Sequence, residues 1–160
     1  MMHGNHADRP GLPMTRRRLP RPDDVLLALR IAAFGLAVPL LTRLPLRQLD
    51  ALLRWGPRRR FAGPNEVQKV VALVGAVLRR GRPLVRGDCL PRGLTLYYFL
   101  RRAGLDVRLH FGVMAHAGVA RAPIGHCWLV KGGEPFLETR DPRPLYVELY
   151  HLPWEGDGRR

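Results

Sequence analysis

The 160-residue sequence predicts an α+β fold: N-terminal helices, then a cysteine-bearing helix packed on a small antiparallel sheet. Three observations support this. Up to Gly104, apolar residues recur at helical spacing. After Gly104 the period falls to two, with Val107, Leu109, Phe111 and Val113 facing one way. Finally, Gly132-Gly133 separates two strand-like runs, as a turn between antiparallel strands does. There is no internal repeat.

A hydrophobic share of 46% and a mean hydropathy of −0.14 suit a globular chain with one core. We place that domain at residues 23–153, between a basic tail at 1–22 and a flexible tail at 154–160. The first tail carries Pro10, Pro13, Pro20, Pro22 and Arg16-Arg17-Arg18 without apolar periodicity, and reads as disordered. Met1, Met2 and Met14 are alternative starts. Thr15 to Leu19 invites a twin-arginine export reading, but Asp23 and Asp24 interrupt the approach to the apolar stretch and no small-residue cleavage site follows. A cytoplasmic location is therefore expected.

The elements follow in order. Helix one is expected from Val25 to about Leu41, with Asp23 or Asp24 as N-cap and Pro39 kinking or ending it. Its charge-free run, Ile31 to Thr42, is too short to span a bilayer. It reads as a helix packed on the domain, with weak interfacial membrane contact as the alternative. Helix two starts near Pro45 and ends at Trp55-Gly56, with Leu46, Leu49, Leu52 and Leu53 on its apolar face. A basic loop with Arg58-Arg59-Arg60 leads to helix three, where Asn65 is the expected cap and Gln68 completes a capping box. Val67, Val70, Val71, Val74, Val77 and Leu78 form its stripe, and Gly81 ends it. Arg82 to Asp88 is a turn that delivers Cys89 to the start of helix four, with Pro91 in its first turn. Leu90, Leu94, Tyr97 and Tyr98 make one face, with Arg101 at the same spacing, and Gly104 is the C-cap. Met114 to Pro123 reads as a loop, and His126–Val130, Phe136-Leu137 and Tyr146–Leu149 as strands.

The chemistry centres on Cys89. A helix N-terminus has unpaired N–H groups and positive dipole character, and both favour a thiolate. His126, on a strand, is the general base or ion-pair partner. The other histidines are poorer candidates: His3 and His6 lie in the tail, His110 on the polar side of its strand, His116 in a loop and His151 near the C-terminus. Glu138, twelve residues past His126 and beyond the Gly turn, is placed to orient the imidazole, and Asp141 is its rival. The Cys89 backbone N–H supplies an oxyanion donor, with a second from the preceding turn. Cys89 and Cys127 are too few for a disulfide scaffold and read as reduced thiols. No metal or cofactor is expected: C-x-x-C, H-E-x-x-H and phosphate-binding glycine loops are absent, and neighbours on a strand point to opposite faces.

The net charge of 27 − 13 = +14, with a pI near 11.4, favours nucleic acid, acidic lipid or acidic peptide as a contact. The clusters Arg16–Arg18, Arg58–Arg60 and Arg101-Arg102 lack interleaved aromatics, so a stable nucleic-acid complex is not expected.

The stretch CLPRGLTLYYFLRRAGLDVRLHFGV, Cys89 to Val113, followed by GHCWLVKGGEPFLE, Gly125 to Glu138, resembles the lasso-peptide leader peptidases. These are small transglutaminase-like cysteine proteases of bacterial peptide-maturation pathways. The resemblance covers roughly Asp24 to Pro153. It rests on a cysteine opening a Leu-rich helix, an Arg-Arg-x-Gly helix end, Gly-Val closing a strand, His-x-Trp, and an acidic residue after a Gly turn. Glu138 stands where most relatives carry Asp, and Cys127 is an extra cysteine. The resemblance implies a papain/transglutaminase-like arrangement and a Cys89-His126-Glu138 triad. It also implies a precursor peptide as substrate, a separate leader-recognition protein and a downstream ring-forming cyclase. Two alternatives remain: an amide hydrolase or acyltransferase of the same fold, and a non-catalytic basic module binding nucleic acid or membrane.

Overall fold

Helices one and three each leave an apolar flank in need of cover, and a fourth helix supplies it. The computed structural model describes residues 21–57, 63–81, 89–114 and 124–154. In it, α1 is Pro22–Leu41, α2 Leu46–Arg54, α3 Pro64–Arg80 and α4 Cys89–Arg102. The strands are β1 Arg108–Met114, β2 Gly125–Lys131, β3 Glu134–Phe136 and β4 Tyr146–Leu152. They form one antiparallel sheet in the order β3-β2-β1-β4. The predicted α+β class, with the cysteine helix packed against a small antiparallel sheet, is the observed one. The expected tails, the Arg58–Arg60 loop, the turn at 82–88 and most of the loop after Met114 lie outside the described residues, as do His3, His6 and His116.

Helix α4 touches α1 and α3 on one side and β1 and β2 on the other. It is therefore buried around most of its circumference, with Leu94, Leu96, Tyr97, Phe99 and Leu100 all in the core. The sequence shows one apolar face because Thr95 and Arg101, also buried, break the pattern. Arg101 is held inside by a hydrogen bond to the Val107 carbonyl at 3.4 Å, with its guanidinium 5.2 Å from the Tyr97 ring centroid. Arg102 donates to the Tyr98 hydroxyl at 2.9 Å and to the Trp55 carbonyl at 3.5 Å. These two arginines fasten the helix end rather than offering a phosphate-binding patch. Gly104, with φ +84°, closes α4 as expected: the Leu105 N–H bonds the Leu100 carbonyl and the Gly104 N–H the Arg101 carbonyl, a Schellman ending.

The other helices depart from expectation at their caps. Arg21, not Asp23 or Asp24, precedes α1, and Pro22 takes the first helical position. Asp24 instead pairs across to Lys69 of α3 at 2.7 Å. Pro39 neither ends the helix nor stops it from running to Leu41. Likewise Asn65 lies inside α3, and Gly63 is the N-cap without a side-chain bond, because Pro64 already suits the first helical position. Leu52 of α2 is exposed, and Asp50 takes the inward place beside Leu49 and Leu53, with Arg54 on it at 2.7 Å. Gly81 caps α3 as expected.

Two glycines set how closely the layers meet. A Cβ on Gly93 of α4 would stand 2.8 Å from Cys127 Sγ and 3.1 Å from Leu109 Cδ1, so the helix rides directly on the sheet. A Cβ on Gly112 of β1 would stand 2.7 Å from the Val147 carbonyl oxygen and 3.0 Å from Trp128. Gly112 sits at the β1–β4 irregularity, and the missing side chain lets the Trp128 ring lie across β1. The β2–β3 turn has Gly132 and Gly133 at φ +59° and +86°, the two positive values that a type I′ hairpin turn requires.

Gly112→Ala is expected to cost about 1–3 kcal/mol, since a backbone oxygen cannot move aside. Gly125→Ala, whose added carbon meets its nearest neighbour at 3.9 Å, serves as the tolerated control. Urea denaturation of the two variants measures the difference.

Candidate active site

Cys89 is the first residue of α4, half-buried, with the backbone N–H groups of a helix start around it. His126 is the second residue of β2. Strand β3 pairs only with Leu129 to Lys131, so β2 is open on that edge at His126 and Cys127. Both neighbours bear on the Cys89 sulfur there: the Cys127 thiol and backbone first, then the His126 ring, each favouring its charged form. His126 meets Trp128 and Tyr146 on one face of the sheet and Cys127 meets Gly93 of α4 on the other, as neighbours on a strand do, yet both act on the Cys89 sulfur.

The electrostatics follow from burial. Cys127 is 4% exposed and donates its S–H to Cys89. That hydrogen bond, opposed by burial and helped by the His126 bond and charge, pulls the Cys89 thiol down from 9.0 to about 5. The same contact pushes the Cys127 thiol up, with burial and the Cys89 charge adding to it. Charge thus rests on the more accessible sulfur. At neutral pH Cys89 is a thiolate and Cys127 a thiol.

The structure brings Glu138, not Asp141, to the imidazole. His126 Nε2 lies 3.6 Å from Glu138 Oε2. The separation is that of an ion pair and slightly long for a hydrogen bond. Leu137, with φ +64°, turns the chain just before Glu138. A non-glycine residue there carries backbone strain, which is held by Arg92. Arg92 Nη2 donates to the Leu137 carbonyl at 3.0 Å, and Nη1 lies 3.5 Å from Glu138 Oε1. Asp141 is bound elsewhere: Arg143 donates to both of its oxygens at 2.7–3.0 Å and pulls its carboxyl down. Sequence reasoning missed Arg92 and the part played by Cys127. The available signal for Arg92 was its spacing, three residues after Cys89 and so on the same side of the helix.

The outer face of the sheet continues from His126. The ring centroid of Tyr146 is 5.0 Å from that of His126, and that of Trp128 is 6.1 Å away. Next come His110, His151 and Glu148. His110 Nδ1 is 2.9 Å and His151 Nδ1 3.0 Å from the two Glu148 oxygens. Burial lowers the His110 pKa even though Glu148 supports its charge. Among the described residues this is the group able to hold a metal ion, its three donor atoms lying within 4.8 Å of one another. His110, on the polar side of its strand, is thus part of a half-buried cluster with Glu148 and His151. On the inner side, an apolar cleft of about 440 Å³ runs between α3 and β3, lined by Val67, Val71, Leu105, Phe136 and Leu137 among others. Leu137 joins this cleft to the Glu138 end of the site.

A model of the Transglutaminase-like superfamily matches residues 30–151, which include Cys89, His126 and Glu138. No curated protein and no solved structure matches the chain.

Removing the Cys127 donor is expected to raise the Cys89 pKa above 5, toward its ordinary value, in Cys127→Ala. Cys127→Ser, which keeps a donor, shifts it less. The sign is fixed: a lost donor to the thiolate disfavours the charged form. Thiolate absorbance in the ultraviolet, followed against pH, reads the shift.

Proposed function

The chain belongs to the transglutaminase-like superfamily, and from that premise we propose that it is a cysteine peptidase which removes the leader from a ribosomally made precursor peptide in lasso-peptide maturation. The superfamily supports cysteine-protease or acyltransferase chemistry in general. The observation that carries the catalytic part is the Cys89 thiolate in hydrogen-bond contact with His126, whose Nε2 faces Glu138. The peptide-maturation part rests on the resemblance of Cys89–Val113 and Gly125–Glu138 to leader peptidases.

In this reading Cys89 Sγ attacks the scissile carbonyl. The oxyanion forms beside the Cys89 backbone N–H at the α4 start; the second donor expected from the preceding turn lies outside the described residues. His126 then protonates the leaving amine, which carries the product half of the precursor. Water, activated by the same imidazole, releases the leader from sulfur. Glu138 keeps the ring in the productive tautomer and supports its charge. Arg92 positions Glu138 and leaves the chemistry to the other three. The precursor is delivered by a separate leader-recognition protein, and a ring-forming cyclase takes the product. A cytoplasmic setting suits both reduced thiols.

A second contact is favoured by α1. Val25, Leu26, Leu29, Leu36 and Leu40 are 45–66% exposed, with Arg30 and Arg43 beside them. The helix has 20 residues, and an 18-residue window of it has a mean hydropathy of 2.0, long and apolar enough by length and composition to cross a membrane, although Ile31, Gly35 and Val38 pack it on the protein. Weak contact with an anionic lipid surface fits this composition.

Cleavage of a precursor peptide in the presence of its leader-recognition protein tests the first reading. Cys89→Ala is expected to abolish cleavage, Glu138→Gln to lower kcat/KM by about 10²–10⁴, and Asp141→Asn to leave it near wild type. Undiminished cleavage by Cys89→Ala would sink the reading. For the lipid contact, Leu29→Glu with Leu36→Glu is expected to remove co-sedimentation with anionic vesicles, and binding that survives the pair of substitutions contradicts it.

A further inference from the structure

The two cysteines of the chain are 38 positions apart, yet the fold brings them together: Cys127 Sγ lies against Gly93, four residues along α4 from Cys89. Cys127 is not needed as a base, an acid or an oxyanion donor in the reaction above. Its sulfur is also tightly held. Gly93 leaves only enough room for it, since a Cβ there would stand 2.8 Å from Cys127 Sγ, and that gap opens one turn of helix past Cys89. The sulfur is thus fixed near Cys89 and shut away from solvent, while Cys89 is only partly buried. A small oxidant reaches Cys89 first.

We propose that Cys127 is a resolving cysteine, and that a hydroperoxide converts Cys89 and Cys127 into a reversible disulfide which closes the site. In the first step the Cys89 thiolate attacks the peroxide. An S–O bond forms, the O–O bond breaks, and the departing oxygen leaves as an alcohol, or as water from hydrogen peroxide, after taking a proton. Cys89 becomes a sulfenic acid, oxidised by two electrons, and the peroxide is reduced by the same two. In the second step Cys127 sulfur attacks Cys89 sulfur. The S–S bond forms, the S–O bond breaks, and the Cys127 proton leaves with the hydroxyl as water. The sum is two thiols and one hydroperoxide giving one disulfide, one alcohol and one water.

The arrangement has the two properties such a pair needs. The attacked sulfur carries the charge, because the thiolate is the form that reacts with peroxide. The resolving sulfur is already in contact, so the sulfenic acid is captured before a second oxidant converts it irreversibly to sulfinic acid. A thiol reductant restores both groups by exchange. That the bridge switches off peptide cleavage rests on the peptidase reading; the bridge itself does not.

The test uses the full chain, reduced and then treated with a few equivalents of hydrogen peroxide. Intact mass and non-reducing peptide mapping are read before and after dithiothreitol. The expected result is a mass loss of two hydrogens, a Cys89–Cys127 cross-linked peptide, and full recovery of both thiols. Cys127→Ser and Cys127→Ala, first shown to be folded by circular dichroism, are expected instead to gain two oxygens at Cys89 that dithiothreitol does not remove. Sulfinic acid at Cys89 in the wild type without a cross-link overturns the proposal, as does a cross-link found only between molecules. Leader cleavage by the reduced protein is assayed in parallel. A bridge without cleavage supports the proposal and sinks the peptidase reading, whereas cleavage without a bridge does the reverse.

Discussion

One close approach of helix to strand carries the chemistry of the molecule. At Gly93, α4 meets β2 with no room for a Cβ between them. This contact fixes the height of the helix start above the strand and so brings the Cys89 sulfur level with Cys127 and His126. A helix lifted by one side chain would leave Cys89 beyond hydrogen-bond reach of both. Its thiolate would then have the helix N-terminus alone, which supplies a smaller stabilisation than two direct donors. The burial of α4 between helices and sheet serves the same end. A helix held on most sides cannot rise off the strand to relieve the crowding.

The carboxylate end of the site is built differently, from strain and a clamp. Leu137 holds a left-handed backbone that its side chain disfavours, and Arg92 bonds the carbonyl of that residue while facing Glu138. Arg92 comes from α4, one turn beyond Cys89. Cys89 and the Glu138 carboxylate are thus referenced to the same helix, although His126 and Glu138 arrive from the sheet side. A Glu in place of Asp adds one methylene of reach, and the Leu137 turn together with Arg92 directs it.

Much of this was legible in the sequence, and the exceptions have physical causes. The fold class, the α4 start at Cys89, the Gly104 ending, the Gly132-Gly133 turn and the nearness of His126 to Glu138 all follow from period, turn residues and spacing. The caps at Asp24 and Asn65 were misplaced because Pro22 and Pro64, pre-set for a first helical turn, start each helix earlier than a side-chain cap would. The burial of α4 on most sides was hidden by Thr95 and Arg101, polar residues that the core encloses: Arg101 bonds the Val107 carbonyl, while the Thr95 hydroxyl is buried without a hydrogen-bond partner among the described residues. The Cys89–Cys127 contact was hidden by the alternation rule. That rule governs a side chain looking down on a pleat, whereas Cys89 meets β2 at an edge that β3 does not cover. The choice of Glu138 over Asp141 turned on Arg143, whose engagement with Asp141 no spacing rule foretells.

The central claim is that Cys89 and His126 form one coupled unit. The most direct measurement is the rate of Cys89 alkylation against pH, resolved from Cys127 by peptide mapping, in wild type and His126→Ala. The rate follows the thiolate fraction, so in the wild type it should hold level at neutral pH and fall only as pH drops through about 5. In His126→Ala the fall should move to higher pH, because a donor and a positive charge beside the thiolate are gone. An unshifted profile in His126→Ala, or a wild-type thiol that titrates near its ordinary value of about 8.5, would contradict the account.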